Sequence, residues 1–184
     1  MIQKRNNTRK AGVYLSVKRF IVVIIEIIIC FLLQTTVFQW LALAHVTPNL
    51  LLILTVAVGL MRGRTEGLIV GFVCGLLIDF CYGEILGLYA LIYMIIGYLN
   101  GYSHRIFVKD DLTIPIFLVG VSQFVYFFLF YIFEFLLKGK LNILFYLVSI
   151  GLPGIIYTVV VSIVLYKLLN IINTRLDRKE EEEV

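Results

Sequence analysis

Three acidic residues, Glu26, Asp79 and Glu134, lie inside long apolar runs, and they are the first candidates for chemistry. A carboxylate in such a setting can relay protons or form hydrogen bonds between helices. A relay requires the acids to line one path, but the spans assigned below put Glu26 near one membrane face and the other two near the opposite face. Structural hydrogen bonding is therefore the favoured interpretation, and a proton relay is the alternative.

Other catalytic groups form no recognisable constellation. The two histidines, His45 and His104, are predicted on opposite membrane faces, so they cannot share a catalytic or metal site. The glycine-rich segments lack the lysine and Ser/Thr of a phosphate-binding loop. The three cysteines lie in or beside apolar runs and are predicted to pack as small hydrophobic residues. We therefore expect a protein that is not an enzyme, with no cofactor and no metal.

Two segments of the chain contain glycines spaced four residues apart, and one of these segments also contains Asp79. The glycines of the two segments concerned are Gly67, Gly71, Gly75, Gly97 and Gly101. The first three lead on to Asp79 at the same spacing, which places them on one helix face. In a bilayer, glycines at this spacing let a second helix approach closely. We expect both faces to pack against helices of this chain or of a partner, with Asp79 either in a functional site or capping the following loop.

Tyr89 and Tyr93 also lie four residues apart and share a helix face. Tyrosines are common at membrane interfaces because their rings are amphipathic. That explanation suffices for the neighbouring tyrosines. For Tyr89 and Tyr93, a role in a polar binding site is an alternative.

The composition is that of an integral membrane protein. Of the 184 residues, 61% are hydrophobic and 15% are charged, against roughly half and a quarter in soluble domains. The net charge of +4 does not indicate nucleic acid binding, because the lysines and arginines cluster between apolar runs, where they set membrane topology.

Six apolar segments are predicted to be membrane helices. They cover residues 20–40, 48–61, 65–82, 85–102, 114–137 and 153–172. Residues 1–19 are predicted to be a basic leader against anionic lipid headgroups, residues 20–172 a single six-helix membrane domain, and residues 173–184 a charged tail. Residues 141–150 are predicted to be a short interfacial or re-entrant segment. The fold class is all-α and polytopic.

The basic residues predict the orientation. Six spans put both ends of the chain on one side, together with fourteen of the 16 lysines and arginines. Only Lys138 and Lys140 then lie on the other side. Because basic loops are retained in the cytoplasm, both termini are predicted to be cytoplasmic.

Several short motifs, in this order and spacing, resemble the rod shape-determining protein MreD family. They are Leu33-Gln34-Thr35-Thr36-Val37-Phe38, Thr47-Pro48-Asn49-Leu50-Leu51-Leu52, Arg62-Gly63, Gly71-Phe72, Gly75-Leu76-Leu77-Ile78-Asp79 and Leu86-Gly87. The resemblance implies a subunit of the bacterial cell-elongation machinery in the inner membrane. It implies a bitopic MreC-like partner, and links to an MreB-like filament, a RodA-like glycosyltransferase and a class B penicillin-binding protein. The family often has Asp where this chain has Asn49, which removes a charge from the predicted outer mouth.

The same resemblance implies a fold similar to the substrate-binding subunits of energy-coupling-factor transporters, which have six helices and an outward-facing pocket. A vitamin transporter subunit is therefore the alternative function. Such subunits dock through alanines spaced four apart in the first helix, and the first predicted span has no alanine. We accordingly expect a non-catalytic scaffold that docks a partner's transmembrane helix and positions peptidoglycan-synthesis machinery, supporting cell shape.

Overall fold

The structure is a computed structural model that describes residues 18–41, 46–83, 86–106, 112–138 and 147–183. Within these ranges the regular structure is helical, so the predicted all-α class is confirmed. Nearly all of the predicted leader, and residues 141–146 of the predicted re-entrant segment, lie outside the described residues.

Six main helices follow one another in the described part of the chain. They are α1 (Lys18–Trp40), α2 (Leu50–Arg62), α3 (Arg64–Tyr82), α4 (Leu88–Asn100), α5 (Thr113–Lys138) and α6 (Leu152–Glu183). A π-helical segment, Leu33–Val37, interrupts α1, a 3-10 turn, Gly101–Ile106, follows α4, and a π-helical turn, Leu147–Gly151, leads into α6. Among the described residues, four stretches are long and apolar enough to cross a membrane: Lys18–Trp40, Arg64–Tyr82, Thr113–Phe133 and Leu147–Leu176.

The short helix α2 is the centre of the fold. Every residue from Leu50 to Leu60 is buried. The helix contacts α3, α4, α5 and α6, as well as the π-helical segment of α1. A helix that is apolar on all sides must be surrounded by protein or lipid, and here the neighbouring helices surround it. Its 13 residues extend only about 20 Å at the helical rise.

Large apolar side chains cover the outward faces of the longer helices. Ile28 of α1, Phe124 of α5 and Val164 of α6 are each exposed. Contiguous apolar surface of this extent is rare on soluble monomers, but it is the normal exterior of a helix in lipid. Together with the four long apolar stretches, these faces identify a membrane protein.

The fourth helix and the last helix differ in extent from the prediction. The predicted segment 141–150 ends in a π-helical turn that continues directly into α6, so the described helical structure already includes Leu147, before the predicted start at residue 153. The helix also continues to Glu183, through most of the predicted charged tail. The fourth helix is shorter than predicted, because Gly87 has a φ of 97° and α4 begins only after it.

Candidate functional site

The backbones of α3 and α4 are in direct contact along the predicted glycine faces. A Cβ atom added to Gly97 would lie 2.0 Å from the carbonyl oxygen of Gly67. One added to Gly71 would lie 2.3 Å from the carbonyl oxygen of Tyr93, and one added to Gly75 would lie 2.5 Å from that of Tyr89. No side chain fits at these positions, so glycine is required for the close approach. The face is occupied within the chain.

Two further glycines extend this contact to a third helix and to the 3-10 turn. A Cβ atom on Gly59 of α2 would lie 2.9 Å from the carbonyl oxygen of Gly97, and one on Gly101 would lie 2.4 Å from the Cα atom of Arg64. Gly59 lies eight residues before Gly67 but in the preceding helix, so the four-residue spacing does not by itself place the two glycines on one face. Helices α2, α3 and α4 therefore form one closely packed unit.

Asp79 caps the start of α4 from the last turn of α3. Its Oδ1 accepts a hydrogen bond from the backbone N–H of Tyr89 at 3.1 Å, and its Oδ2 accepts one from Ala90 at 2.8 Å. The first N–H groups of a helix have no partner within the helix, and a carboxylate there also interacts favourably with the helix dipole. The side chain of Asp79 is only 1% exposed. The geometry favours the capping interpretation of Asp79.

Asn49 joins three helices at the start of α2. Its Oδ1 accepts hydrogen bonds from the N–H of Leu52 at 3.2 Å and from the hydroxyl of Tyr93 at 2.6 Å. Its own N–H donates to Oγ1 of Thr158 in α6, at 3.2 Å. Asn49 is thus the N-cap of α2 and a link from α2 to both α4 and α6.

Side chains from other elements make hydrogen bonds to further backbone groups at both ends of α2. Oε1 of Gln34, in the π-helical segment of α1, accepts a hydrogen bond from the N–H of Leu51 at 3.1 Å. At the opposite end, Nδ1 of His104 lies 2.6 Å from the carbonyl oxygen of Leu60. Because buried backbone groups without a partner are costly in an apolar medium, these contacts allow a helix as short as α2 to end inside the protein.

A cavity of about 390 Å³ opens beside the N-terminal end of α2. Its polar lining comes from four helices and includes Gln34, Gln39, Asn49, Tyr89, Tyr93 and Gln123. Aromatic rings of α4 and α5 form one wall: Tyr89 stacks on Phe130 with ring centroids 5.5 Å apart, and Tyr93 meets Tyr126 edge to face at 5.8 Å. The structure therefore brings Asn49, Tyr89 and Tyr93 together in one site.

The comparison with protein families decides the identity. The model for the rod shape-determining protein MreD matches residues 15–173. The chain belongs to the MreD family. The predicted resemblance is therefore confirmed, and the protein is a membrane protein of the rod shape-determining MreBCD system. No curated protein and no solved structure matches the chain.

The remaining predicted site residue of this MreD family member, Glu26, lies apart from the cavity. It is on α1, is 6% exposed, and is not among the residues that line the cavity. Neither of its carboxylate oxygens has a hydrogen-bond partner within the described ranges. Like Glu26, Asp79 is not among the residues that line the cavity.

The chemistry available at the MreD cavity is hydrogen bonding and aromatic stacking. In the described part of the chain, no group of three or more His, Cys, Asp and Glu side chains could hold a metal ion. The family is a structural, shape-determining one and not a known enzyme family. Thr158, His104 and Gly59 were missed as packing residues from the sequence. For the first two no local pattern could have found them, because their contacts join residues 109 and 44 positions apart.

Proposed function

We propose that this MreD family member is a non-catalytic scaffold of the cell-elongation complex. It docks the transmembrane helix of a bitopic MreC-like protein and thereby positions a RodA-like glycosyltransferase and a class B penicillin-binding protein near an MreB-like filament. The observation that carries the proposal is the MreD family match over residues 15–173. In this proposal the six helices lie in the bacterial inner membrane, with both termini cytoplasmic.

The use of the buried polar side chains supports a scaffold. Asp79 caps α4, and Asn49 caps α2. Asn100 of α4 donates a hydrogen bond of 2.8 Å to Ser122 of α5, and Arg62 of α2 donates to Asn173 of α6. Groups committed in this way hold helices at fixed positions. A body of this kind suits a protein that presents a constant surface to its partners.

The occupied glycine faces restrict where a partner helix can bind. A partner that used Gly71 and Gly75 would have to displace α4, because both glycines already meet its backbone. A docked transmembrane helix must therefore use one of the outward apolar faces of α1, α5 or α6. These faces are open in this chain, as the exposure of Ile28, Phe124 and Val164 shows.

Site-specific photo-crosslinking in living cells tests the proposal. A photoreactive residue is placed at Ile28, Phe124 or Val164, one for each outward face, and the buried Leu54 of α2 is the matched control. We expect one face to crosslink to the MreC-like protein, the control to give no crosslink to another protein, and the tagged chain to restore rod shape in cells that lack the native protein. Absence of crosslinks from all three faces, in cells whose shape is restored, would contradict docking through these helices.

Uptake measurements distinguish the scaffold from the transporter alternative. Cells that express the chain are given labelled vitamins with and without the general energising subunits of vitamin transporters. A scaffold produces no uptake above that of cells without the chain. Uptake that depends on the chain would overturn the proposal, whatever the crosslinking result.

A further inference from the structure

A second cavity, of about 410 Å³, lies between α1 and α3 near the ends at which both helices begin. Three of the described residues that line it are charged, and the other seven are apolar. The charged ones are Arg19, Arg62 and Glu66. The apolar ones come from the first three turns of α1 and from α3 between Ile69 and Val73. This cavity, the α1–α3 groove, therefore combines a charged end with an apolar length.

The α1–α3 groove opens on the outer surface of the bundle. Val23, Ile27 and Val70 of its lining are buried, whereas Phe20 is 64% and Ile69 is 50% exposed. Both helices are long and apolar enough to cross a membrane, so the exposed rim of the groove faces lipid in a bilayer. A lipid molecule can thus enter the groove from the side, without passing through protein.

The charged end of the groove lies at the level of the lipid headgroups. Arg19 and Glu66 belong to the first turns of two stretches that can cross a membrane, Lys18–Trp40 and Arg64–Tyr82. Arginine side chains at such helix ends extend toward the membrane interface. From Arg19 the lining continues to Ile27, about 12 Å further along α1 at the helical rise. The groove thus matches a molecule with a charged head and an apolar chain.

The charges of the lining favour an anionic head. Two arginines and one glutamate give the described lining a net formal charge of +1. Nη1 of Arg62 lies 3.5 Å from Oε2 of Glu66, and Arg62 also donates a hydrogen bond to Asn173. A guanidinium group has five N–H donors, so these two contacts do not exhaust those of Arg62. A phosphate group carries the opposite charge and accepts several hydrogen bonds from arginine.

The basic leader of the chain does not complement this end of the groove. Residues 1–17 contain four lysines and arginines and no acid, so they repel Arg19 and Arg62. An anionic phospholipid supplies both the negative charge and the apolar chain. Basic pockets between membrane helices bind lipid headgroups of this kind.

We propose that the α1–α3 groove binds an anionic phospholipid. Its phosphate group accepts hydrogen bonds from Arg19 and Arg62, and one of its acyl chains packs along the buried floor of the groove. The proposal rests on the groove and on the membrane location of the chain, not on the scaffold function. Lipid binding and docking of an MreC-like protein can therefore each fail while the other holds.

Lipid selectivity is measured on the full-length protein, which is purified in mild detergent and stripped of bound lipid. Phosphatidylglycerol is titrated into the protein, and native mass spectrometry measures the bound fraction at each concentration. Phosphatidylcholine and phosphatidylethanolamine with the same acyl chains are the matched controls, because they have no net charge. We expect phosphatidylglycerol to bind more tightly than either control.

Replacement of Arg19 should remove most of this preference. Arg19→Gln should weaken phosphatidylglycerol binding roughly tenfold, as the loss of a charged hydrogen-bond donor predicts. Lys18→Gln is the matched control, because Lys18 is the preceding residue, is exposed and does not line the groove. It removes the same charge and should cause a clearly smaller loss. Equal losses in the two variants would assign the binding to general attraction by basic residues and overturn the proposal.

Replacement of Glu66 should have the opposite effect. Glu66→Gln removes a negative charge beside the proposed phosphate and should strengthen phosphatidylglycerol binding roughly fivefold. The side chain of Glu66 is 48% exposed, and exposed ion pairs contribute little to stability, so this variant keeps the proposal testable if Arg19→Gln does not fold. Weaker phosphatidylglycerol binding in Glu66→Gln would overturn the proposal.

A bulky ring in the groove tests the position of the acyl chain. Ile69→Trp keeps every charge and fills part of the groove, so it should weaken phosphatidylglycerol binding. Ile21→Trp is the control, because Ile21 is exposed on α1 and does not line the groove. Unchanged binding in Ile69→Trp would place the lipid elsewhere and overturn the proposal. No preference for phosphatidylglycerol in the folded parent would also overturn it, and would favour an acidic residue of a partner protein as the group that meets Arg19.

Discussion

Asp79 of α3 accepts a hydrogen bond of 2.8 Å from the backbone N–H of Ala90, in the first turn of α4. The other carboxylate oxygen accepts one from the neighbouring amide of Tyr89. Asp79, which belongs to the preceding helix, thus replaces the N-cap side chain that α4 lacks. The connection needs this help because α4 begins after Gly87, which has no side chain to cap it.

Replacement of Asp79 should produce a graded loss of stability. Asp79→Ala leaves one buried and one partly buried N–H group without an acceptor. At roughly 1–3 kcal/mol for each unsatisfied group, the change should cost about 2–6 kcal/mol. Asp79→Asn keeps one acceptor oxygen and should cost less. The measurement is the fraction of protein that stays monodisperse in gel filtration after heating, together with restoration of rod shape. Phe80→Leu, at an exposed neighbouring position, is the control. An Asn variant that is as stable as the parent yet inactive would indicate that Asp79 must carry a charge or exchange protons.

The four-residue spacing of the glycines predicted which faces of α3 and α4 allow another helix to approach closely. Gly67, Gly71 and Gly75 share a face whatever the surroundings, because the helical period alone fixes their relation. The start of α2 was predictable only to within two residues: Thr47 and Pro48 are typical of a helix start, but the helix begins at Leu50 and its N-cap is Asn49. These features are local, and local features are what a single sequence expresses most directly.

The central position of α2 could not be predicted in the same way. Lipid and a protein interior are both apolar, so hydropathy does not distinguish a helix in the middle of a bundle from one at its surface. Gln123 presented a similar difficulty. A glutamine in an apolar helix usually links helices by hydrogen bonds, and only the structure reveals that its side-chain oxygen is buried with no hydrogen-bond partner among the described residues.

The glycine contact between α3 and α4 should not tolerate a methyl group. Gly97→Ala would place Cβ 2.0 Å from the carbonyl oxygen of Gly67, so the helices must separate, at a cost of about 1–3 kcal/mol or more. Gly120→Ala is the matched control, because among the described residues its Cβ would meet Val159 alone, at an ordinary 3.4 Å. The control should be neutral or more stable by roughly 0.5–1 kcal/mol, since alanine favours a helix. Equal stability of the two variants after heating would show that α3 and α4 do not pack in this way.

The hydrogen bond from the Tyr93 hydroxyl to Asn49 should appear as a coupling energy. Tyr93→Phe alone should cost about 1 kcal/mol, the usual net value of a hydrogen bond. In the Asn49→Ala background the hydroxyl has already lost its acceptor, so the same change should cost nothing or stabilise the protein. The coupling energy is obtained from a double-mutant cycle, in which the thermal unfolding of the parent, both single variants and the double variant is measured. Tyr98→Phe is the control, because the hydroxyl of Tyr98 pairs with that of exposed Tyr102. Its effect should be additive with that of Asn49→Ala. Additivity of Tyr93→Phe as well would contradict the contact.

Cysteine labelling tests the six-span topology with cytoplasmic termini. The background lacks the native cysteines, Cys30, Cys74 and Cys81. A membrane-impermeant reagent should modify thiols placed at Ala44 or Gly139 in intact cells and spare a thiol placed at Thr174, because fourteen of the 16 basic residues predict the cytoplasmic side for the chain ends. Labelling of the Thr174 replacement only after the cells are opened is the positive control. Labelling of that position in intact cells would require an odd number of spans or the opposite orientation.

Removal of Glu26 should not harm the fold. The side chain is 6% exposed, and its oxygens have no hydrogen-bond partner among the residues described. An unsatisfied buried polar group costs about 1–3 kcal/mol, so Glu26→Met, which has a similar length and no charge, should be as stable as the parent or more stable. Glu26→Gln should lie between the two, because it removes the charge and keeps the polar atoms.

Stability and rod-shape restoration together separate two roles for Glu26. Ile28→Met is the matched control on the same helix, because Ile28 is exposed and lies on the outward face. If Glu26→Met is stable and restores rod shape, the carboxylate has no necessary role. A stable variant that fails to restore shape assigns Glu26 to partner binding or to a proton-dependent step, since a buried acid that is dispensable for folding is retained at a net energetic cost. A marked loss of stability in Glu26→Met would contradict the prediction and show that the carboxylate is paired in the folded protein.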